Sequence, residues 1–180
     1  EVTDTTPTPQ KVWDEMMRGN ARFVSGEPLH PRQGAERRHE VADIQNPRAV
    51  VFGCSDSRLA AEIIFDKGLG DLFVIRNAGQ VLADSIIGSL EYAVAVLNVP
   101  LIVLAHDECG AVRAAINSIP LDAPDLPPAI WSLIAHIVPA ARRILADGAG
   151  WNVTPETVDA ADVGRLHLRN TVANVLRSSE

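Results

Sequence analysis

The sequence predicts an α/β domain with a mostly parallel central sheet of about four strands flanked by helices. Three short apolar runs have the length and β-branched content of buried strands: AVVFGC at 49–54, DLFVIR at 71–76 and PLIVLA at 100–105. Helical patterns at 57–66 and 84–98 separate these runs. Strands that alternate with helices are typical of a parallel sheet covered on both faces.

The segments on either side of these strands are predicted to be mainly helical. Residues 9–25 carry apolar side chains at helical spacing, and residues 26–47 are expected to form an irregular arm around one short helical turn. The remaining predicted elements are a helix at 110–118, a proline-rich loop at 120–128, and helices at 129–147 and 155–177.

Length and composition predict one soluble domain. The 180 residues, 47% of them hydrophobic, match an ordinary globular domain and exclude a disordered chain. We expect one domain over 1–180, with an N-terminal helix and arm at 1–47, a core at 48–119 and C-terminal helices at 120–180. The net charge of −7 argues against nucleic acid as a partner, because phosphate binding needs a basic surface.

A cytoplasmic location is expected. No run approaches the ~20 apolar residues of a membrane span, so no membrane partner is predicted. The polar N-terminus EVTDTTPTPQ is not a secretory signal. Because residue 1 is not methionine, the sequence leaves open a processed upstream segment. Two cysteines are too few for a disulfide framework, which favours a reducing compartment.

Both cysteines follow predicted strands. Cys54 ends the first strand within GCSDSR, and Cys109 follows the third strand within HDECG, together with His106. The carboxyl ends of parallel strands meet at one edge of a sheet, where ligands bind. If the first and third strands are neighbours, the two thiols and the imidazole converge.

Two thiolates and an imidazole form a donor set that suits Zn²⁺. Zinc prefers tetrahedral sulfur and nitrogen ligands, and catalytic zinc sites keep three protein ligands and one open position. A helix N-terminus also favours a thiolate at Cys109. The sequence therefore predicts a zinc site formed by Cys54, His106 and Cys109.

Asp56 and Arg58 are the candidate catalytic residues beside this site. A carboxylate two residues after a ligand cysteine can reach the metal or its water, and a guanidinium can hold it ionised. A plain surface ion pair is the alternative for these two residues. Arg76 and Asn77, after the second strand, are candidates for tying down a loop.

Five motifs resemble the β-class carbonic anhydrases. The specific pair is C-S-D-S-R at 54–58 followed by H-x-x-C-G at 106–110. The similarity extends to G-N-x-R-F at 19–23, F-V-I-R-N-A-G at 73–79 and E-Y-A-V at 91–94, and it covers roughly residues 10–178.

The resemblance implies a zinc lyase that interconverts carbon dioxide and bicarbonate. Zinc-bound hydroxide would attack CO₂ to give bicarbonate, and a proton would then leave. The equivalents of Asp56 and Arg58 form a dyad beside the open position, and in some members the aspartate becomes a fourth ligand that closes the site. Ala78, Gly79 and Tyr92 are the implied substrate-cleft residues, and a homodimer or higher homo-oligomer is expected.

Three other functions stay open at this point. The same zinc could hydrolyse COS or CS₂. The chain could be a truncated, non-catalytic module stabilised by zinc, or a redox protein that pairs Cys54 with Cys109. None of His30, His39, His136 or His167 can be assigned as a proton shuttle.

The sequence departs from the family pattern at Gly68, around the third strand and at the C-terminus. Gly68 aligns with a glutamine that some members place in the cleft, and Ala105 stands where a glycine usually precedes the zinc histidine. The third strand is about one residue short. The chain also ends at NVLRSSE, without the usual C-terminal strand of the type I-V-G-x-x-Y-D-L.

Overall fold

The computed structural model describes residues 7–105, 107–147 and 157–179. In this part of the chain the helices and strands follow the expected order. They are α1 (Pro9–Ser25), α2 (Ala35–Glu40), β1 (Ala49–Cys54), α3 (Ala61–Ile64), β2 (Leu72–Asn77), α4 (Asp84–Glu91), β3 (Ile102–Leu104), α5 (Gly110–Asn117), α6 (Pro128–Ile134), α7 (Val138–Asp147) and α8 (Ala160–Ser178).

The described strands form a parallel sheet in the order β2-β1-β3. Arg48 N donates to Asp71 O at 2.8 Å and Ser55 N donates to Asn77 O at 2.9 Å. Residue numbers therefore increase in the same direction on both strands, as they do in a parallel pair. The α/β class is thus confirmed, with three strands in the described residues where about four were expected. Each predicted apolar run formed one strand. Because β1 lies between β2 and β3, the ends of the first and third strands are neighbours.

Four predicted helices have different limits in the structure. The helix expected at 57–66 is the short α3, and the one expected at 84–98 is α4 followed by a π-helical turn at Tyr92–Val96. The helix expected at 129–147 is divided into α6 and α7, which meet at 52°. The break at residues 135–137 lies just before Pro139, which falls in the first turn of α7, where the missing N–H of proline is tolerated. The predicted start of the last helix, at 155–156, lies outside the described residues, and α8 begins at Ala160.

The chain groups into two compact units, which are described separately. The first comprises Glu1–Phe52, Ser57–Ile75 and Ser85–Val103. The second comprises Gly53–Asp56, Arg76–Asp84 and Leu104–Glu180, so the carboxyl ends of the strands belong to it. The prediction of a single domain over 1–180 stays a prediction.

The core of the first unit is formed by one face of α1 and the buried side chains of the strands. Thr8 caps α1 by accepting from Lys11 N at 3.3 Å, and Gly26 ends the helix at φ 76°. Burying apolar area of this kind contributes about 25 cal/mol per Å². The core side chains are Val12, Met16, Ala49, Val51, Ala61, Phe65 and Val103.

In the second unit, α5 packs against α6, α7 and α8. The buried apolar side chains include those of Val112, Ile116, Ile134, Ile137 and Val163. Among the described residues, no single helix is both long and apolar enough to cross a membrane, and only α6 and α7 taken together as a bent pair reach that length and composition.

Candidate metal centre

The two thiols meet at the carboxyl edge of the sheet. Cys54 is the last residue of β1, and Cys109 is the N-cap residue of α5. Their Sγ atoms lie 3.8 Å apart, and both side chains are buried and free of disulfide bonds. A disulfide would need about 2.05 Å between the sulfur atoms. The pair is therefore two separate thiols that face one another.

This separation fits a shared tetrahedral metal ion. Two sulfur ligands at the zinc–sulfur distance of about 2.3 Å, seen under the tetrahedral angle, lie about 3.8 Å from one another. The Sγ–Sγ distance of 3.8 Å matches this value. The donor chemistry and the spacing of Cys54 and Cys109 would therefore suit two ligands of one zinc ion.

In the absence of a metal, its buried surroundings keep the Cys109 thiol protonated. Burial raises the pKa of the Cys109 thiol to about 11, and the adjacent Cys54 sulfur adds to this effect. The backbone N–H groups of Ala111 and Val112, at the start of α5, act in the opposite direction. Without a cation Cys109 is thus a protonated thiol near neutral pH. A divalent metal ion reverses the balance, because it stabilises the thiolate directly.

A tight turn after β2 supplies a further contact to Cys54. Gly79 N donates to Cys54 Sγ at 3.4 Å. The Asn77 side chain holds the turn, because Nδ2 donates to Val81 O at 2.7 Å and Oδ1 accepts from Val81 N at 3.0 Å. The turn therefore directs one backbone N–H at the sulfur.

Arg76 fixes the backbone that carries Cys54 and Asp56. Its Nε donates to Cys54 O at 2.9 Å and its Nη2 donates to Asp56 O at 2.6 Å. Hydrogen bonds from a charged donor are roughly twice as strong as neutral ones. One guanidinium thus ties together the first residues of the C-S-D-S-R motif, and the prediction that Arg76 and Asn77 tie down a loop agrees with these contacts.

Comparison with known proteins gives the family. The family model described as "Carbonic anhydrase" matches residues 49–180. This chain belongs to the β-class carbonic anhydrase family. A carbonic anhydrase of Mycolicibacterium smegmatis is 59% identical over 112 residues, which are 62% of this chain and 54% of that protein. The chain therefore spans about half the length of that relative.

Solved β-carbonic anhydrases share the fold. The β-carbonic anhydrase CafA of Aspergillus fumigatus is 23% identical with a TM-score of 0.62, over 92% of this chain and 74% of that chain. One of two tetrameric β-carbonic anhydrases from Sordaria macrospora is 23% identical with a TM-score of 0.59, over 93% of this chain and 81% of that chain.

The structure brings together part of the predicted carbonic anhydrase site. Cys54 and Cys109 meet as expected, whereas His106 lies outside the described residues. Within residues 7–105, 107–147 and 157–179, no group of three or more His, Cys, Asp or Glu side chains is placed to hold a metal. Asp56 is half-buried and Arg58 is exposed, and both follow β1 on the loop before α3. The ligand role of His106 and the dyad role of Asp56 and Arg58 stay predictions.

The three predicted cleft residues differ in exposure. Ala78 is exposed and Gly79 is buried. Tyr92 is 44% exposed, and its ring lies 6.3 Å from the ring of Phe73. Their role in a substrate cleft stays a prediction.

Sequence reasoning assigned no role to His167. It lies on α8, is 4% exposed, and its Nε2 is 2.9 Å from Gly79 O. This contact is to a backbone carbonyl, which any residue possesses, so no residue pattern marks it. The only signal in the sequence is a histidine within the apolar periodicity of the last helix.

Proposed function

We propose that this chain binds Zn²⁺ through Cys54, His106 and Cys109 and catalyses the reversible hydration of carbon dioxide to bicarbonate and a proton. The observation that carries the proposal is the buried pair of Cys54 and Cys109 sulfur atoms, 3.8 Å apart at the carboxyl edge of the sheet. Membership of the carbonic anhydrase family supports the choice of reaction.

The metal would activate water, and the protein would hold the metal in place. When bound, zinc acts as a Lewis acid that lowers the pKa of water toward neutrality. Cys54 and Cys109 hold the cation, and His106 completes a set of three ligands that leaves one position open. The contacts of Arg76 with the carbonyls of Cys54 and Asp56 keep this edge in one conformation before substrate arrives.

Asp56 and Arg58 are proposed to control the open position. An ionised carboxylate only accepts hydrogen bonds, so Asp56 would fix the orientation of a water molecule by accepting a hydrogen bond from its O–H group. Arg58 would keep that carboxylate ionised. Asp56→Ala should therefore retain zinc while it changes the rate of hydration and its pH dependence.

Apolar residues suit the substrate better than charged ones would. Carbon dioxide has no net charge and binds in an apolar cleft, for which Ala78, Gly79 and Tyr92 are the proposed lining residues. Assembly as a homo-oligomer is also proposed, and the partly exposed apolar side chains of Tyr92, Val94 and Val96 support it.

Stopped-flow CO₂ hydration on protein of measured zinc content tests the function. The wild type should hydrate CO₂ well above the uncatalysed rate, and Cys54→Ala should lose zinc and fall to that rate. Val51→Ala is the matched control, because it truncates a buried side chain on the same strand without removing a ligand. It should lose stability and retain zinc and turnover.

Two outcomes would contradict the proposal. A wild type that holds one zinc per chain and does not hydrate CO₂ above the uncatalysed rate would exclude the reaction. Full turnover by Cys54→Ala would exclude the site.

A further inference from the structure

A buried histidine contacts the turn that approaches Cys54. His167 Nε2 lies 2.9 Å from Gly79 O. A carbonyl oxygen only accepts, so the hydrogen is on Nε2 and the ring is the donor. Burial lowers the pKa of His167, and contacts with the backbone of Gly79 and Gln80 raise it. Burial is the larger effect, so the pKa lies below its ordinary value and the neutral ring is favoured.

The turn itself has little freedom to move. Gly79 has φ 78° and Gln80 has φ 52°, both in the left-handed region. A Cβ on Gly79 would lie 3.0 Å from Ile137 Cδ1 and 3.1 Å from Ala111 Cβ. Packing from α5 and from the segment after α6 therefore confines this residue, and its two backbone polar groups have fixed directions.

These two polar groups connect His167 to the thiol. The carbonyl of Gly79 accepts from His167, and the N–H of the same residue donates to Cys54 Sγ at 3.4 Å. An N–H donor stabilises negative charge on sulfur, and partners of this kind orient and tune metal ligands. The chain of contacts runs from α8, through one glycine, to a proposed zinc ligand.

We propose that His167 is a positioning residue that holds Gly79 so that its N–H donates to the Cys54 sulfur. It sets the charge and orientation of that sulfur without touching the metal or the substrate. This inference rests on the proposed zinc site. Helix α8 would thus position a metal ligand through His167, in addition to packing on the core.

Cobalt substitution gives the readout, because the sulfur-to-Co²⁺ charge-transfer band reports directly on the ligand sulfur. Loss of a hydrogen bond raises the energy of the sulfur lone pairs, so His167→Leu should shift this band to longer wavelength. The same variant should weaken zinc binding about tenfold or more. His167→Gln can still donate to Gly79 O, and it should restore the band and most of the affinity.

Val163→Ala is the matched control for packing. Val163 is fully buried on the same helix, one turn before His167. This variant should lose stability while leaving the charge-transfer band and the zinc affinity as in the wild type. If His167→Leu behaves in the same way, His167 is only a core residue and the inference is overturned.

Failure of the zinc site would be recognised separately. A wild type that binds neither Co²⁺ nor Zn²⁺ would refute the proposed function. In that case the contact between His167 and Gly79 is tested in the metal-free protein. His167→Leu should accelerate hydrogen exchange of the Gly79 amide, and Val163→Ala should accelerate it much less. Equal exchange of this amide in the wild type and His167→Leu would overturn the inference.

Discussion

Three donors converge on the carboxylate of Asp66, which is 3% exposed. Arg22 Nε donates to it at 2.6 Å, Leu29 N at 3.0 Å and His30 N at 2.9 Å. Burial alone would raise the pKa of this carboxyl, but the three hydrogen bonds outweigh it, and the pKa lies below its ordinary value. Asp66 therefore ties the arm after α1 to the turn after α3.

The lowered pKa predicts a specific dependence of stability on pH. In the acid range the unfolded chain binds a proton at Asp66 more readily than the folded chain does. The contribution of Asp66 to stability is thus complete above the unfolded pKa of about 3.9, and it is lost as pH falls through the folded pKa. Asp66→Asn should lower the free energy of unfolding at pH 7 by about 1.5–3 kcal/mol and flatten its decline in acid.

Urea unfolding across this pH range measures the effect. Asp122→Asn is the control, because it removes the same charge from an exposed loop position. Equal losses in the two variants at pH 7 would show that the buried hydrogen bonds of Asp66 do not stabilise the fold.

At the residue scale, the sequence was informative where chemistry depends on residue type. The convergence of Cys54 and Cys109 could be predicted because both follow strands and thiols are rare. The partners of His167 and Arg76 could not be predicted, since both side chains bind backbone carbonyls, whose positions depend on the folded turn.

Helix α1 depends on a close approach at Gly19. A Cβ there would lie 1.9 Å from the carbonyl oxygen of Phe65, so only glycine allows this contact. In an open helix interior, alanine is more stable than glycine by about 1 kcal/mol. At Gly19 the clash with the Phe65 carbonyl makes alanine less stable than glycine.

Unfolding measurements on two glycine-to-alanine variants can show both effects, a loss of stability at Gly19 and a gain at Gly164. Gly19→Ala should lower the free energy of unfolding by about 1–3 kcal/mol, the usual cost of overpacking. Gly164→Ala, in α8, is the control, because a Cβ there meets no atom of the described residues within 4 Å. It should raise the free energy of unfolding by about 0.5–1 kcal/mol. Stabilisation by Gly19→Ala would contradict the packing described for α1.

Element limits were predictable only where local signals decide them. The limits of α1 agree with the prediction, because Thr8 caps its start and Gly26 ends it. Helix α3 is shorter than predicted at both ends. In the loop before it, the carbonyls of Cys54 and Asp56 accept from Arg76, so this part of the loop is held by a side chain of another strand. A guanidinium from another strand is not visible in local periodicity.

For the whole molecule, the sequence predicted the parallel sheet but not the order of its strands. The alternation of strands and helices predicts a parallel sheet, and the order β2-β1-β3 explains why the two cysteines meet. Periodicity does not specify strand order, so this point needed the structure.

The exposed apolar side chains that follow α4 predict self-association of the chain. Val96 is 57% exposed in the turn after α4, and we expect it to lie in the interface between chains. An unpaired charge placed in such an apolar interface would destabilise the assembly. The wild type should sediment as a dimer or a larger assembly, and Val96→Asp should shift the mass toward the 19.4 kDa of one chain. Ile44→Asp, at a position 74% exposed, is the control and should leave the assembly intact. A wild type that sediments as a single chain would refute the prediction.

X-ray absorption at the zinc edge of the zinc-loaded protein tests directly whether Cys54 and Cys109 share one zinc ion. We expect two sulfur neighbours at about 2.3 Å and lighter neighbours at about 2.0–2.1 Å, with one sulfur lost in Cys109→Ser. A zinc shell without sulfur, or one identical in the wild type and Cys109→Ser, would contradict the claim that Cys54 and Cys109 share one zinc ion.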